Sequence, residues 1–498
     1  MARIVVIGAG MGGMAVAARL AVKAHEVTIL EQSSTYGGKL GRFERDGFVF
    51  DTGPSLLTIP AVYRDLFNKT GRPLESSVEL LDLDPAFSYR FPDGTVVDMP
   101  GVGIGQCAAA LGAALGGNAD EQWRAFSQRA ADMWQVTRRP FLESPLSGVR
   151  DLLPLARDLS AVRTVAPFTS LRSLAAQYLD DPRLRMLVDR YATYAGSDPR
   201  RAPAALATVP YVEQTFGAYH IAGGIRRLAD ALYERTLERG VAYRFDTDVA
   251  EVLTNAASVS GVRLADGSVI DADIVVSNAD ATHLYRDLVR DNRARNPLRS
   301  LGKSTPSLSG FVLLLAVRGR TPGLRHHNVW FPQDYDAEFD SIFGRNPKPV
   351  DDPTIYVCAP DDSAMRPDSD HESWFVLVNA PRHSLTGATG TIDWTATGLA
   401  QTYRDRVLTV LAERGVDVRD RLLWSQVRTP ADLERDTRAP GGAIYGTSSN
   451  GSRAAFLRPA NRSPVPGLFL VGGSAHPGGG LPLVGMSAEI VANLIGRA

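Results

Sequence analysis

The chain has 498 residues, a formal net charge of −1, and a composition that is 44% hydrophobic and 22% charged. That length allows two or three domains with substantial cores, and the composition is ordinary for a soluble globular protein. The near-neutral charge gives no strongly basic field, so nucleic acid is not expected as a partner. Cys107 and Cys358 are far apart and form no metal or redox motif, which suits a reducing compartment.

Arg3-Ile4-Val5-Val6-Ile7 reads as a buried parallel strand. It is not read as a secretory signal, because Arg3 is the only basic residue before Arg19 and the apolar stretch runs straight into glycines. Gly8, Gly10 and Gly13 follow in G-x-G-x-x-G spacing, with Gly12 between them, and a small-residue helix is expected from Met14 to Leu20. A second apolar run, Val27-Thr28-Ile29-Leu30, ends at Glu31 with Gln32 beside it. An acid about 20 residues beyond the glycines is placed to bind ribose hydroxyls, while the helix N-terminus faces a diphosphate. Glu31 would repel a 2′-phosphate, so NADP is not expected here.

Next come Tyr36-Gly37-Gly38-Lys39-Leu40-Gly41-Arg42 and Phe50-Asp51-Thr52-Gly53-Pro54-Ser55. Adjacent glycines with two cations suit close backbone approach to phosphate and neutralisation of its charge. This stretch resembles the second glycine motif of the FAD-binding amine oxidase and carotenoid desaturase superfamily. The Asp-x-Gly-Pro-Ser run resembles the desaturase branch. The resemblance implies FAD, with Gly38, Lys39, Arg42, Gly53, Pro54 and Ser55 at its site.

A hairpin is expected at Tyr89–Phe91 and Thr95–Val97, turned by Asp93-Gly94. Residues 103 to 195 look helical, cut into short pieces by Pro140, Pro145, Pro154 and Pro167. Leu152, Leu155, Leu159 and Val162 recur at helical spacing, flanked by Arg150, Arg157 and Arg163. The stretch from Val149 to Tyr178 reads from pattern alone as core helix with a solvated face. The resemblance turns it toward contact with a membrane surface.

Ala222-Gly223-Gly224-Ile225 precedes an amphipathic segment, Leu228 to Leu237. A strand from Asp248 to Val252, a hairpin at Asp266-Gly267 and the strand Ile274-Val275-Val276 follow, the last ending in Ser277-Asn278-Ala279-Asp280. This run resembles the middle FAD-domain segment of the carotenoid desaturases, which implies that backbone at Val249 meets adenine. Phe311 to Val317 is expected as a buried strand, being too short to span a bilayer. Ile355–Cys358 and Trp374–Val378 read as further strands. Asp351-Asp352 and Asp361-Asp362 read as solvated loops.

Pro466 to Val471 reads as a strand that enters Gly472-Gly473-Ser474-Ala475-His476-Pro477-Gly478-Gly479-Gly480. A last helix is expected over Gly485 to Ile495. The glycine run is similar to the C-terminal signature of bacterial carotenoid desaturases. It implies Gly472, Gly473, Ser474, Leu483 and Val484 at the flavin, with the helix N-terminus toward its pyrimidine edge.

The expected fold is α/β. A Rossmann-like FAD-binding domain of the glutathione-reductase-like, amine-oxidase type is joined to a mixed-sheet substrate domain and a helical, membrane-contacting subdomain. The expected division is 1–60, 215–282 and 462–498 for the FAD domain, 61–214 for the helical region and 283–461 for the substrate domain. The resemblance implies an FAD-dependent desaturase that puts C=C bonds into a linear carotenoid: phytoene or a later acyclic or hydroxylated intermediate. Isomerisation, terminal-methyl oxygenation, and amine or porphyrinogen oxidation on the same fold stay open, as does a flavin-free binding protein. No aromatic residue lies in the C-terminal glycine loop, which disfavours amines. The expected location is the cytoplasmic face of the membrane, in peripheral contact, with oligomeric state unassigned. No catalytic residue and no metal site is nominated. His476 is read as holding its turn rather than carrying a proton. His220, His326 and His327 are read as surface or structural, and Asp198 as a turn or cap.

Overall fold

The computed structural model describes residues 1–146, 148, 151, 153, 157–451 and 458–498. Strand Arg3–Ile7 pairs in parallel with Glu26–Leu30 on one side and Ile274–Ser277 on the other. Ala242–Arg244 and Leu468–Leu470 complete a five-stranded sheet, also in parallel. A parallel sheet needs both faces covered, because its strands are apolar on both. Alternate residues of the first strand serve the two faces. Ile4 and Val6 pack with helices Met11–Ala21, Arg227–Glu238 and Leu481–Ile495. Val5 and Ile7 pack with Val252 and Val262 of a three-stranded antiparallel sheet, Val249–Thr254, Val259–Leu264 and Val269–Asp271.

The second large sheet has seven strands in the order Leu422–Arg428, Ser309–Arg318, His371–Ala380, Ile355–Cys358, His327–Trp330, Phe87–Arg90, Val96–Met99. Its pairs are antiparallel apart from Phe87–Arg90 beside His327–Trp330. The apolar run Phe311 to Val317 lies inside this sheet. Leu313, Leu315 and Val317 join the cluster that includes Val407 and Leu411 of helix Leu399–Glu413. Leu314 and Ala316 meet Phe48 and Phe50 on the other face. Two buried faces explain why the run carries no polar alternation.

Helices Ile104–Leu115, Ala119–Thr137, Pro182–Thr193 and Thr208–Phe216 form a layer against Phe87, Tyr89 and Val329. Ala119–Thr137 is longer than the short helices expected, and a wider turn over Arg138–Leu142, where Pro140 lies, follows it. Of the expected amphipathic stretch, Val149, Arg150, Leu152, Pro154 and Leu155 lie outside the described residues. Its described part holds two short helices, Leu159–Val165 and Leu171–Tyr178. The last helix starts at Leu481, earlier than expected, because Pro482 sits in its first turn where a proline favours the helix. No described helix is long and apolar enough to cross a membrane.

Leu313 is fully buried and Val96 is half-exposed. Leu313→Ala is expected to lower stability by about 2–5 kcal/mol, and Val96→Ala by under about 1 kcal/mol. Denaturant midpoints of the two variants check this.

Candidate active site

A cavity of ≈ 520 Å³ opens at the C-terminal ends of the parallel strands, at Ile7 and Leu30, and reaches Val312, Tyr356 and Leu377 of the seven-stranded sheet. Crevices at carboxyl strand ends are where open α/β sheets take ligands. Gly8, Gly10, Met11 and Gly12 line this end. The first N–H groups of helix Met11–Ala21 have no intrahelical partner and form an anion site there. Gly8 has φ +94°, a left-handed conformation open to glycine. A β-carbon at Gly10 would sit 2.6 Å from Asn278 Oδ1, and one at Gly12 2.8 Å from Asn278 Nδ2. Gly13 and Gly472 are not in the wall. A methyl on Gly13 would strike the Gly8 carbonyl, and one on Gly472 the Asn278 amide, so both glycines serve packing.

Glu31 is buried. Its Oε2 accepts the Ala9 N–H at 2.7 Å, and its Oε1 accepts the Ser33 N–H and hydroxyl at 2.9 Å each. A carboxylate held in this way keeps lone pairs for a diol. Gln32 is in the wall and donates to the Asp436 carbonyl at 3.2 Å. Val249 lies beside them with Thr247 and Asp248, and Arg438 grips Asp248 through two bonds of 2.8 and 2.7 Å.

Gly38, Lys39, Gly53, Pro54 and Ser55 also line the cavity. The Lys39 ammonium donates to the carbonyls of Ala443 and Ile444 at 3.1 and 2.7 Å, and burial pushes its pKa down. It therefore fastens that loop as well as adding charge. Arg42 departs from expectation: it pairs with Glu44 on an exposed strand and is not in the wall. The strand alternation over Arg42–Arg45 turns it outward. Asp51 ties this segment to the middle of the chain, accepting the N–H groups of Ile225 and Arg226 at 2.7 and 2.9 Å.

From the C-terminal segment Gly473, Ser474 and Val484 reach the wall. Leu483 does not; it turns toward Gly478. Ser474 Oγ accepts the Ala281 N–H at 2.9 Å. His476 is buried outside the cavity wall, with Nε2 3.0 Å from the Ser144 carbonyl. It packs loops together, and burial depresses its pKa to about 4. His220 and His327 are buried and His326 half-buried, so none is a surface residue. His220 Nε2 is 3.0 Å from Asp362. Candidate ligand atoms of His326, His327 and Cys358 lie within 4.8 Å of one another. Burial lowers the pKa of both imidazoles and raises that of the thiol. Asp198 accepts from the N–H and side chain of Arg200, closing a turn.

The far end of the cavity is apolar and aromatic, with Leu308, Val312, Phe375, Leu377, Tyr356 and Tyr445 in its wall. Tyr445 reaches the C-terminal loop: a β-carbon at Gly479 would come 2.5 Å from its ring. Aromatic side chains therefore do stand beside that loop, supplied from outside it. Ser55 Oγ is 2.6 Å from Tyr356 OH, which is 2.8 Å from His327 Nδ1. Buried Arg190 also lines this end. Asn278, Arg190, Tyr194, Tyr356 and Tyr445 went unassigned from sequence. For Asn278 the signal existed, since it directly follows a strand that ends at the cavity.

The helix N-terminus, the glycine cradle under Asn278 and the buried Glu31 carboxylate fit a flavin dinucleotide, and they define an FAD-dependent oxidoreductase. A family model described as flavin containing amine oxidoreductase matches residues 11–495, and the chain belongs to that family. It is 31% identical to a 4,4′-diapolycopene oxygenase of Methylomonas sp, covering 99% of this chain and 98% of that one. It is 32% identical to a 1-hydroxycarotenoid 3,4-desaturase of Flavobacterium sp. (strain P99-3), covering 99% of each. The fold is shared with putrescine oxidase bound to putrescine, at TM-score 0.66 and 14% identity over 99% of this chain and 98% of that one.

The folded His476 ring takes a proton near pH 4, and the unfolded ring near pH 6.5. Between those values the unfolded state binds more protons, so stability falls as pH falls from about 6.5 to 4. His476→Gln is expected to flatten that slope. Denaturant titrations of both proteins at pH 7, 5.5 and 4.5 check it.

Proposed function

We propose that the protein desaturates a linear carotenoid, phytoene or a later acyclic or hydroxylated intermediate. The observation that carries this reading is the cavity itself: one continuous space with a dinucleotide cradle at one end and an apolar, aromatic arm at the other. The full-length kinship with carotenoid enzymes supports it. When bound, FAD supplies the acceptor for a hydride leaving the substrate carbon, and a terminal oxidant such as dioxygen or a quinone removes the electrons. Gly8, Gly10 and Gly12 would approach the diphosphate, Glu31 would take the ribose hydroxyls, and Val249 would border the adenine. Gly473, Ser474 and Val484, which line the cavity, would border the flavin ring. Leu308, Val312, Phe375 and Leu377 hold the polyene and keep water away while the neighbouring carbon loses its proton. A cationic amine is disfavoured, because it would meet the Arg190 guanidinium in the same arm.

FAD-loaded protein on liposomes carrying phytoene, neurosporene, lycopene or a 1-hydroxylated acyclic carotenoid tests the reading. The expected product absorbs further to the red and is lighter by two hydrogens per step. An unchanged mass would mean isomerisation, and a gain of oxygen would mean oxygenation. No change in any sample would sink the proposal.

We further propose peripheral contact with the inner face of the cell membrane, from which such a substrate would enter. Leu159 is 73% exposed on helix Leu159–Val165, which carries Arg163, and Phe168 is 90% exposed on the connection that follows it. Exposed apolar side chains among arginines suit a headgroup interface. Phe168→Ser with Leu159→Ser is expected to lower co-flotation with anionic liposomes at least threefold and to leave flavin content unchanged. Equal flotation of variant and parent would remove this contact.

A further inference from the structure

Arg190 projects from helix Pro182–Thr193 into the apolar arm of the cavity. It is 6% exposed. Four aromatic rings surround its guanidinium carbon: Phe87 at 5.1 Å, Tyr194 at 5.1 Å, Tyr89 at 5.6 Å and Tyr356 at 5.9 Å. Ring faces attract a cation and hold it in place, but they do not take up its N–H groups. A guanidinium carries five such donors and can accept nothing. Among the described residues it donates one hydrogen bond, from Nη1 to Tyr194 OH at 2.8 Å. No described carboxylate forms an ion pair with it, and the buried Glu213 instead accepts from Tyr191 OH at 2.6 Å.

The chain thus holds a caged cation with unspent donors in a cavity that Leu308, Val312, Phe375 and Leu377 also line. A purely hydrocarbon ligand that displaced water from this arm would leave those donors unpaired, which is costly for a charged group. An oxygen atom at the same place would accept from them. Sites built around a hydrogen bond reject analogues that lack its partner far more strongly than apolar pockets reject a missing methylene. We infer that Arg190, framed by Tyr194, binds an oxygen-bearing end of the linear polyene, a hydroxyl or a carbonyl. Selection for an oxygenated substrate over its hydrocarbon parent follows from that contact. The inference rests on the carotenoid reading above and narrows it to a substrate class.

The test compares lycopene, its 1-hydroxy derivative and its terminal aldehyde, each in liposomes, with FAD-loaded wild type, Arg190→Met and Arg190→Lys. Two readouts are taken: kcat/KM, and ligand binding by quenching of flavin fluorescence without turnover. In wild type at least one oxygenated ligand is expected to exceed the hydrocarbon at least tenfold in both. That ratio should fall at least tenfold in Arg190→Met and at least threefold in Arg190→Lys, whose compact head lacks the planar fork. The hydroxyl and aldehyde arms tell which oxygen is preferred. A wild-type ratio near one overturns the proposal. So does an unchanged ratio in the variants while both substrates lose turnover together, the mark of a structural role. If Arg190→Met does not fold, an unchanged ratio in Arg190→Lys overturns it equally. Binding preference that depends on Arg190 without any turnover would sink the desaturation reading and support this site. Turnover without that preference would do the reverse.

Discussion

The rest of the molecule depends on how closely three distant segments approach one side chain. Asn278 fills the gap between the turn at Gly10 and Gly12 and the turn at Gly472. Its amide donates to Val471 at 3.1 Å, which fixes the last strand against the middle one. None of these glycines has room for a β-carbon. The cradle is therefore backbone brought to contact distance, and its N–H groups can serve a ligand because no side chain stands in front of them. This explains why the unit is assembled from the two ends and the middle of the chain. Each segment supplies a parallel strand and then a turn, and the turns meet at the same edge of one sheet.

Once that edge is set, the sheet's two coverings place the second half of the site. The helices on one face pack on the sheet through apolar side chains, and the N-termini of Met11–Ala21 and Leu481–Ile495 open at the cavity. The seven-stranded sheet packs its Leu314 and Ala316 face on Phe48 and Phe50, which precede the Asp51 to Ser55 run in the same chain segment. Phe48 and Phe50 thus bring the cofactor cradle and the substrate sheet to a common boundary. Asp51 reinforces it with two backbone bonds to the middle segment. The cavity is the space left along that boundary.

Local patterns carried the cradle and little of the arm. Gly8, Gly10, Gly12 and Gly38 are legible because backbone approach to a phosphate demands residues of one kind at fixed spacing, and Glu31 because a ribose diol calls for an acid at the end of the second strand; all five line the cavity. The strand Ile274–Ser277 and the turn at Gly473 follow the same logic. Arg42 misled, since a basic residue after a glycine pair looks alike whether its strand faces in or out. Arg190 was illegible for a different reason. Helix Pro182–Thr193 contains Arg183, Arg185, Asp189 and Arg190, the composition of a solvated face. Yet Asp189 is buried against Arg172 at 2.8 Å and Arg190 is buried among rings. Of the four rings, Tyr194 is near in sequence, while Phe87, Tyr89 and Tyr356 come from strands far along the chain. No window of sequence contains them together.

The buried cations near the cavity differ in how their donors are used, and that difference separates scaffold from recognition. Lys39 spends itself on the carbonyls of Ala443 and Ile444. Arg458 donates to the carbonyls of Tyr445 and Gly473 at 2.9 and 3.1 Å, and burial lowers its pKa to about 10. Lys39 holds the loop at Ala443 and Ile444, and Arg458 ties Tyr445 of that loop to Gly473 of the C-terminal turn, so the aromatic wall and the turn are joined. A positive charge removed from water is costly, and carbonyl oxygens are the cheapest neutral partners a chain can offer. Arg190 receives no carbonyl among the described residues. Among the described residues its compensation is one hydroxyl, the faces of four rings and the field of the buried Glu213 carboxylate, which steady the charge without saturating its hydrogen-bonding groups. Packing alone would be served better by an apolar side chain of the same volume, so a guanidinium at this position is most economically explained by what enters the cavity.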